Sequence, residues 1–148
     1  MRDDLPLPTS RDMTDQSSNG EGMVMAHIDR AYLALALVLL LLGDLLGFYM
    51  GISNDTKLRG VHIGMVLNGF ANLAIYGFIF RLWPAMKSGP LAAAQFWLGA
   101  LGAIGLMIGM YLQSVGGGGA IIAPSAVVAI VAAAILLWLF CMRRDVAA

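Results

Sequence analysis

The 148-residue chain predicts an all-α integral membrane protein, an up-down bundle of four spanning helices behind a disordered N-terminal tail. Three observations carry this expectation. Hydrophobic residues make up 59% of the chain and charged residues 12%, with a mean hydropathy of +0.80; soluble domains run at roughly 45–50% and about 25%. Four apolar stretches of 22 or 23 residues follow one another, at residues 31–52, 61–83, 91–113 and 120–142. The connections between them are too short for anything but antiparallel neighbours. Length alone gives one domain.

The tail comes first. Residues 1–22 hold Asp3, Asp4, Asp12, Asp15 and Glu21 together with Pro6 and Pro8. Such a segment cannot bury enough apolar area to offset its ordering entropy, so residues 1–27 are expected to be disordered. The acidic start lacks the basic-then-apolar order of a secretory signal.

Each apolar stretch extends about 33 Å as a helix, enough for a hydrocarbon core of about 30 Å. In lipid an unpaired backbone group is costly, so each stretch closes its own hydrogen bonds as a helix. The first carries one charge, Asp44, and the second carries Arg81 near its end; the third and fourth carry none. The four-helix domain is expected to run over residues 28–145. Gly43, Gly47 and Gly51 in the first stretch, Gly60 and Gly64 in the second, and Gly105 and Gly109 in the third stand four apart. That spacing makes a flat strip for close helix contact.

Lys and Arg near the helix ends set the orientation. Arg30, Arg81, Lys87, Arg143 and Arg144 lie on the side of the termini, against Lys57 and Arg59 on the other. The positive-inside rule then puts both termini in the cytoplasm of a multi-pass protein of a bacterial inner membrane. Tyr32, Trp83, Tyr111 and Trp138 fall where interfacial rings would anchor.

Few residues carry chemistry. Nine basic and nine acidic residues cancel, so no field recruits nucleic acid. The single Cys141 excludes a disulfide framework or a Cys-rich metal site and, beside Arg143 and Arg144, reads better as a passive buried thiol than as a site of reversible lipidation. No phosphate loop, Ser/His/Asp set or HExxH pattern is present, so no catalytic residue is assigned. Asp44 lies deep in its span and should face protein or water, with Asn68 or Asn72 at similar depth as partner, or else serve as a proton relay. His62 enters the second span with Met65, Gly69, Asn72 and Tyr76 at three-and-four spacing on its face. It reads either as a metal or haem ligand or as an interfacial histidine bonded to the first connection. His27 stands on the opposite side, about 30 Å away, so the two histidines cannot chelate one ion within a chain.

The run Lys57-Leu58-Arg59-Gly60-Val61-His62, continuing through Met65, Gly69, Asn72 and Phe80, resembles the second transmembrane helix of haem–copper oxidase subunit I. The nearest likeness is to cbb-type cytochrome c oxidases and nitric oxide reductases. Gly43-Asp44-Leu45-Leu46-Gly47-Phe48-Tyr49 resembles the end of the preceding helix, and the likeness extends over residues 28–113. It implies that His62 is the axial ligand of a haem b iron and that Arg59 pairs a propionate or a lipid phosphate. Catalytic subunits of that family have about a dozen helices. This chain lacks the later ones that supply the other ligands, so complete oxygen or nitric oxide reduction by this chain alone is not expected.

Three functions follow as expectations. The first is a haem b-binding protein whose sixth ligand comes from Met65, a partner subunit or a second copy in a homodimer. The second is a cofactor-free accessory or assembly protein of a respiratory oxidase. The third is a small proton-coupled exporter using Asp44.

Overall fold

A computed structural model describes residues 27–143. The expected tail, but for His27, and residues 144 and 145 of the expected domain lie outside the described residues. Four helices, each long and apolar enough to cross a membrane, follow in order: α1 (Ile28–Ser53), α2 (Arg59–Leu82), α3 (Pro90–Ser114) and α4 (Ile122–Arg143). This is the pattern of a multi-pass membrane protein.

Local chemistry sets the ends. α1 stops at Asn54, which takes the left-handed conformation at φ 54°; asparagine tolerates that region better than other side chains. α2 ends at Leu82 because Pro84 disfavours helical backbone at Trp83, and a 3₁₀ turn, Pro84–Lys87, follows. Gly89, at φ 100°, redirects the chain into Pro90, the first residue of α3. Proline fits there because that N–H has no helical acceptor. Gly116 and Gly118, at φ 84° and 81°, make the turn before α4.

α2 is not uniform. Met65–Ala71 is a π-helix set between the α-helical segments Arg59–Gly64 and Asn72–Leu82. Its wider turns shift the 3.6-residue register by about one position.

Glycines place the helices. A Cβ on Gly43 would lie 3.3 Å from Met65, and one on Gly69 2.9 Å from Leu39. One on Gly77 would lie 3.2 Å from the backbone oxygen of Asp29. As numbers rise along α1 they fall along α2, so this pair is antiparallel. The same reversal relates Gly102 to Ala129 and Gly109 to Ile122 in the α3–α4 pair. α3 is the most buried helix and α4 the least. Toward the end where α1 begins, Ile28, Tyr32, Leu73, Phe80 and Met86 form the tightest part of the core.

Two sequence expectations fail. Tyr32 is no interfacial anchor. It is fully buried, with ring centroids 4.8 Å from Phe96 and 5.7 Å from Tyr76, both edge-on. Helix α1 begins three residues before the expected span, which carries Tyr32 past the helix end into the core. Cys141 is exposed, not buried, because α4 turns Leu136 and Leu139 inward instead.

At Gly102 a Cβ would lie 2.8 Å from the Ala129 nitrogen and 2.9 Å from its Cα, both backbone atoms. At Gly51 it would meet nothing within 4 Å. Gly102→Ala is therefore expected to destabilise the protein by about 1–3 kcal/mol. Gly51→Ala should be neutral or gain up to about 1 kcal/mol from helix propensity. Thermal unfolding of both variants in detergent checks the contrast.

Candidate functional site

The turn that delivers His62 is built from side-chain bonds to backbone. Ser53 Oγ accepts from the Asp55 N–H at 3.3 Å, and Asp55 Oδ1 accepts from the Lys57 N–H at 3.0 Å. The chain then enters α2 at Arg59, whose N–H donates to the Thr56 oxygen at 3.0 Å. Arg59 is exposed and, among the described residues, forms no ion pair.

One turn further on, His62 is half-buried against α1. Its Nδ1 lies 2.8 Å from the Gly43 carbonyl oxygen. A carbonyl only accepts, so Nδ1 carries the hydrogen, and in the neutral ring Nε2 keeps its lone pair. The bond is to the body of α1 and not to the first connection, contrary to the structural alternative. The ring lies over Gly47, where a Cβ would stand 2.8 Å from Cε1 and 3.2 Å from Nδ1. Glycines at 43 and 47 thus give the imidazole both its acceptor and its space. Backbone anchoring of one ring nitrogen fixes the tautomer and direction of a ligating histidine in metal sites. The residues present fit an axial imidazole on that observation.

The face expected for His62 is divided. Gly69 stays with it against α1, resting on Leu39. Asn72 and Tyr76 line a notch with Gly99, Ala103 and Leu106 of α3 and Ala129 of α4, and Tyr76 also meets Tyr32 of α1 edge-on. The π segment is the cause, since it lies between these positions and breaks the constant period. Asn72 Nδ2 donates to Asn68 Oδ1 at 3.3 Å, so the two asparagines pair with each other. Asp44 joins neither of them. It is exposed on α1, one position past the Gly43 that faces α2, and it has no bonded partner among the described residues. His27 lies at the start of α1, 16 to 20 residues from the His62 contacts, or about 24–30 Å, as the topology requires. No group of three metal-ligating side chains occurs among the described residues.

Two polar clusters were not anticipated from the sequence. Asp29 is buried at the base of α1, where Oδ1 accepts from Lys87 Nζ at 2.8 Å and Oδ2 from Arg81 at 3.2 Å. It ties the start of α1 to the end of α2 and the following turn. The placement of all three residues at one end of the spans was the available signal. Tyr32 OH donates to Gln95 Oε1, at 2.7 Å, with the Gln95 backbone oxygen also at 3.0 Å. No pattern in the chain distinguishes Gln95, an amide within an apolar stretch.

Comparison with known proteins finds no matching family model, no matching curated protein and no matching solved structure.

Removing Asp29 leaves the Lys87 ammonium, 18% exposed, without its closest counter-charge. Asp29→Ala should cost about 2 kcal/mol, the scale of a hydrogen bond to a charged group. Tyr32→Phe strands the Gln95 amide and should cost about 1–3 kcal/mol. Chemical or thermal unfolding in detergent measures both, and His62→Ala should lose less than either because its ring is only half-buried.

Proposed function

We propose that this chain is a haem b-binding membrane protein, similar to the first third of haem–copper oxidase subunit I, with His62 as an axial ligand through Nε2. The carrying observation is the Nδ1–H bond to the Gly43 carbonyl, which leaves the opposite nitrogen as the electron-pair donor. Arg59, one turn nearer the helix end and free of ion pairs among the described residues, is the group to meet a propionate. A haem iron held by one imidazole supplies one-electron transfer or a coordination position for a second ligand.

The protein would be a four-span up-down bundle in a bacterial inner membrane, with both termini cytoplasmic, as the Lys and Arg distribution favours. His62 and Arg59 then lie toward the outer face. The sixth ligand would come from a second copy or from a respiratory oxidase subunit. Met65, whose Cβ packs at Gly43 on the same helix interface as the imidazole, is the third source. Asp44 also favours an assembly. An ionised carboxylate exposed within a span costs about 2.5–3.5 kcal/mol on insertion scales, which a neighbouring protein surface would reduce. The same observation supports the second reading, a cofactor-free accessory protein of such a complex.

Purified protein incubated with ferric protoporphyrin IX in detergent separates the readings. Wild type should give a sharp Soret band at a stoichiometric ratio, and His62→Ala should lose most of it. Equal spectra from the two would remove His62 as the ligand. A wild type that takes up no haem but co-purifies with oxidase subunits would favour the accessory role.

A further inference from the structure

We propose that the notch between α2 and α4 binds a neutral, lipid-soluble molecule carrying a hydroxyl or carbonyl oxygen, which it draws sideways from the bilayer. This site is separate from His62 and does not depend on the haem reading. Asn68, Asn72 and Tyr76 line one wall, Leu106 the floor, and Ala129 and Ala133 the other wall, around a cavity of about 280 Å³. A smaller recess of about 20 Å³ shares Asn68, Asn72, Tyr76, Leu106 and Ala129 and reaches Gly99 and Ala103.

Depth gives the polar wall its meaning. Asn68 lies nine residues from the outer end of α2 and Tyr76 six from the inner end, about 14 Å and 9 Å from them. There, lipid offers nothing to bond an amide or a phenol. Two asparagine side chains hold four N–H groups and two oxygens, and their mutual bond uses one of each. Three N–H groups, the Asn72 oxygen and the Tyr76 hydroxyl have no further partner among the described residues.

Shape and charge select the ligand class. No charged side chain lines the cavity, which disfavours an ion. The remaining wall is alanine, leucine and isoleucine, suited to an apolar body, while the amides and phenol would hold one oxygen. An apolar cavity of about 150 Å³ accepts a benzene-sized molecule. One of about 280 Å³ takes roughly twice that bulk. The wider turns of the π segment, a feature frequent at functional sites, include Asn68 and end beside Asn72.

Photo-crosslinking tests the proposal with the full chain in lipid nanodiscs. The probes are a long-chain alcohol bearing a diazirine and the matching hydrocarbon diazirine without the hydroxyl. The alcohol should label residues of the α2–α4 notch about tenfold more than other lipid-facing positions, and the hydrocarbon should label evenly. Asn72→Leu should reduce the notch labelling at least fivefold. Ala133→Phe, which fills the notch from an exposed position on α4, should do the same while leaving the polar groups in place. Thermal unfolding confirms that each variant is folded, and Ala133→Phe keeps the test informative if Asn72→Leu is not. Even labelling by both probes, or notch labelling unchanged in a folded variant, overturns the proposal.

Discussion

Everything in this molecule rests on helix backbones approaching where a Cβ is missing. Between apolar helices in lipid the hydrophobic effect supplies no net attraction, so close packing must do so. Gly43, Gly47, Gly69 and Gly77 bring α1 against α2, and Gly102, Gly105 and Gly109 bring α3 against α4. The contact at Gly105 is with the Ser125 hydroxyl, so even a polar group is admitted where the side chain is absent. In α1 the same device does a second job. The space above Gly47 holds an imidazole, and the carbonyl of Gly43 bonds it. Packing and site geometry therefore share one cause.

The polar groups divide by depth. At the end where α1 begins, Asp29 and its two cations replace apolar packing with ion pairs, which lie near enough to the helix ends for water to relieve their desolvation. In the middle, no ion pair occurs among the described residues, and amides and phenols take over. Toward the other end, the imidazole is tied to backbone. Each arrangement suits the dielectric around it. Asp44 alone departs from this order, exposed within a span.

The sequence made the spans legible because lipid demands length and apolarity over a whole helix. The observed ends fall within three residues of those expected, and the small differences come from local caps such as Asn54 and Pro90. The entry of His62 near the start of the second span was legible too, since its position follows from counting. What could not be read was rotation. A constant 3.6-residue period carried His62, Asn72 and Tyr76 on one face, and the π segment Met65–Ala71 separates them. The partner expected for Asp44 was lost for a similar reason, because Gly43 rather than Asp44 is the residue turned toward α2. Depth follows from counting, whereas azimuth depends on packing that no local pattern states.

The most direct measurement of the account is the affinity of Gly47→Ala for ferric protoporphyrin IX, followed by spectral titration beside wild type. The three atoms nearest the added methyl all belong to the ring of His62, so the fold should survive while the imidazole is pushed from its place. The account predicts at least a tenfold weaker, poorly ordered haem spectrum in a protein of unchanged helicity. Binding identical to wild type would contradict the claim that the glycine gap in α1 sets the ligand.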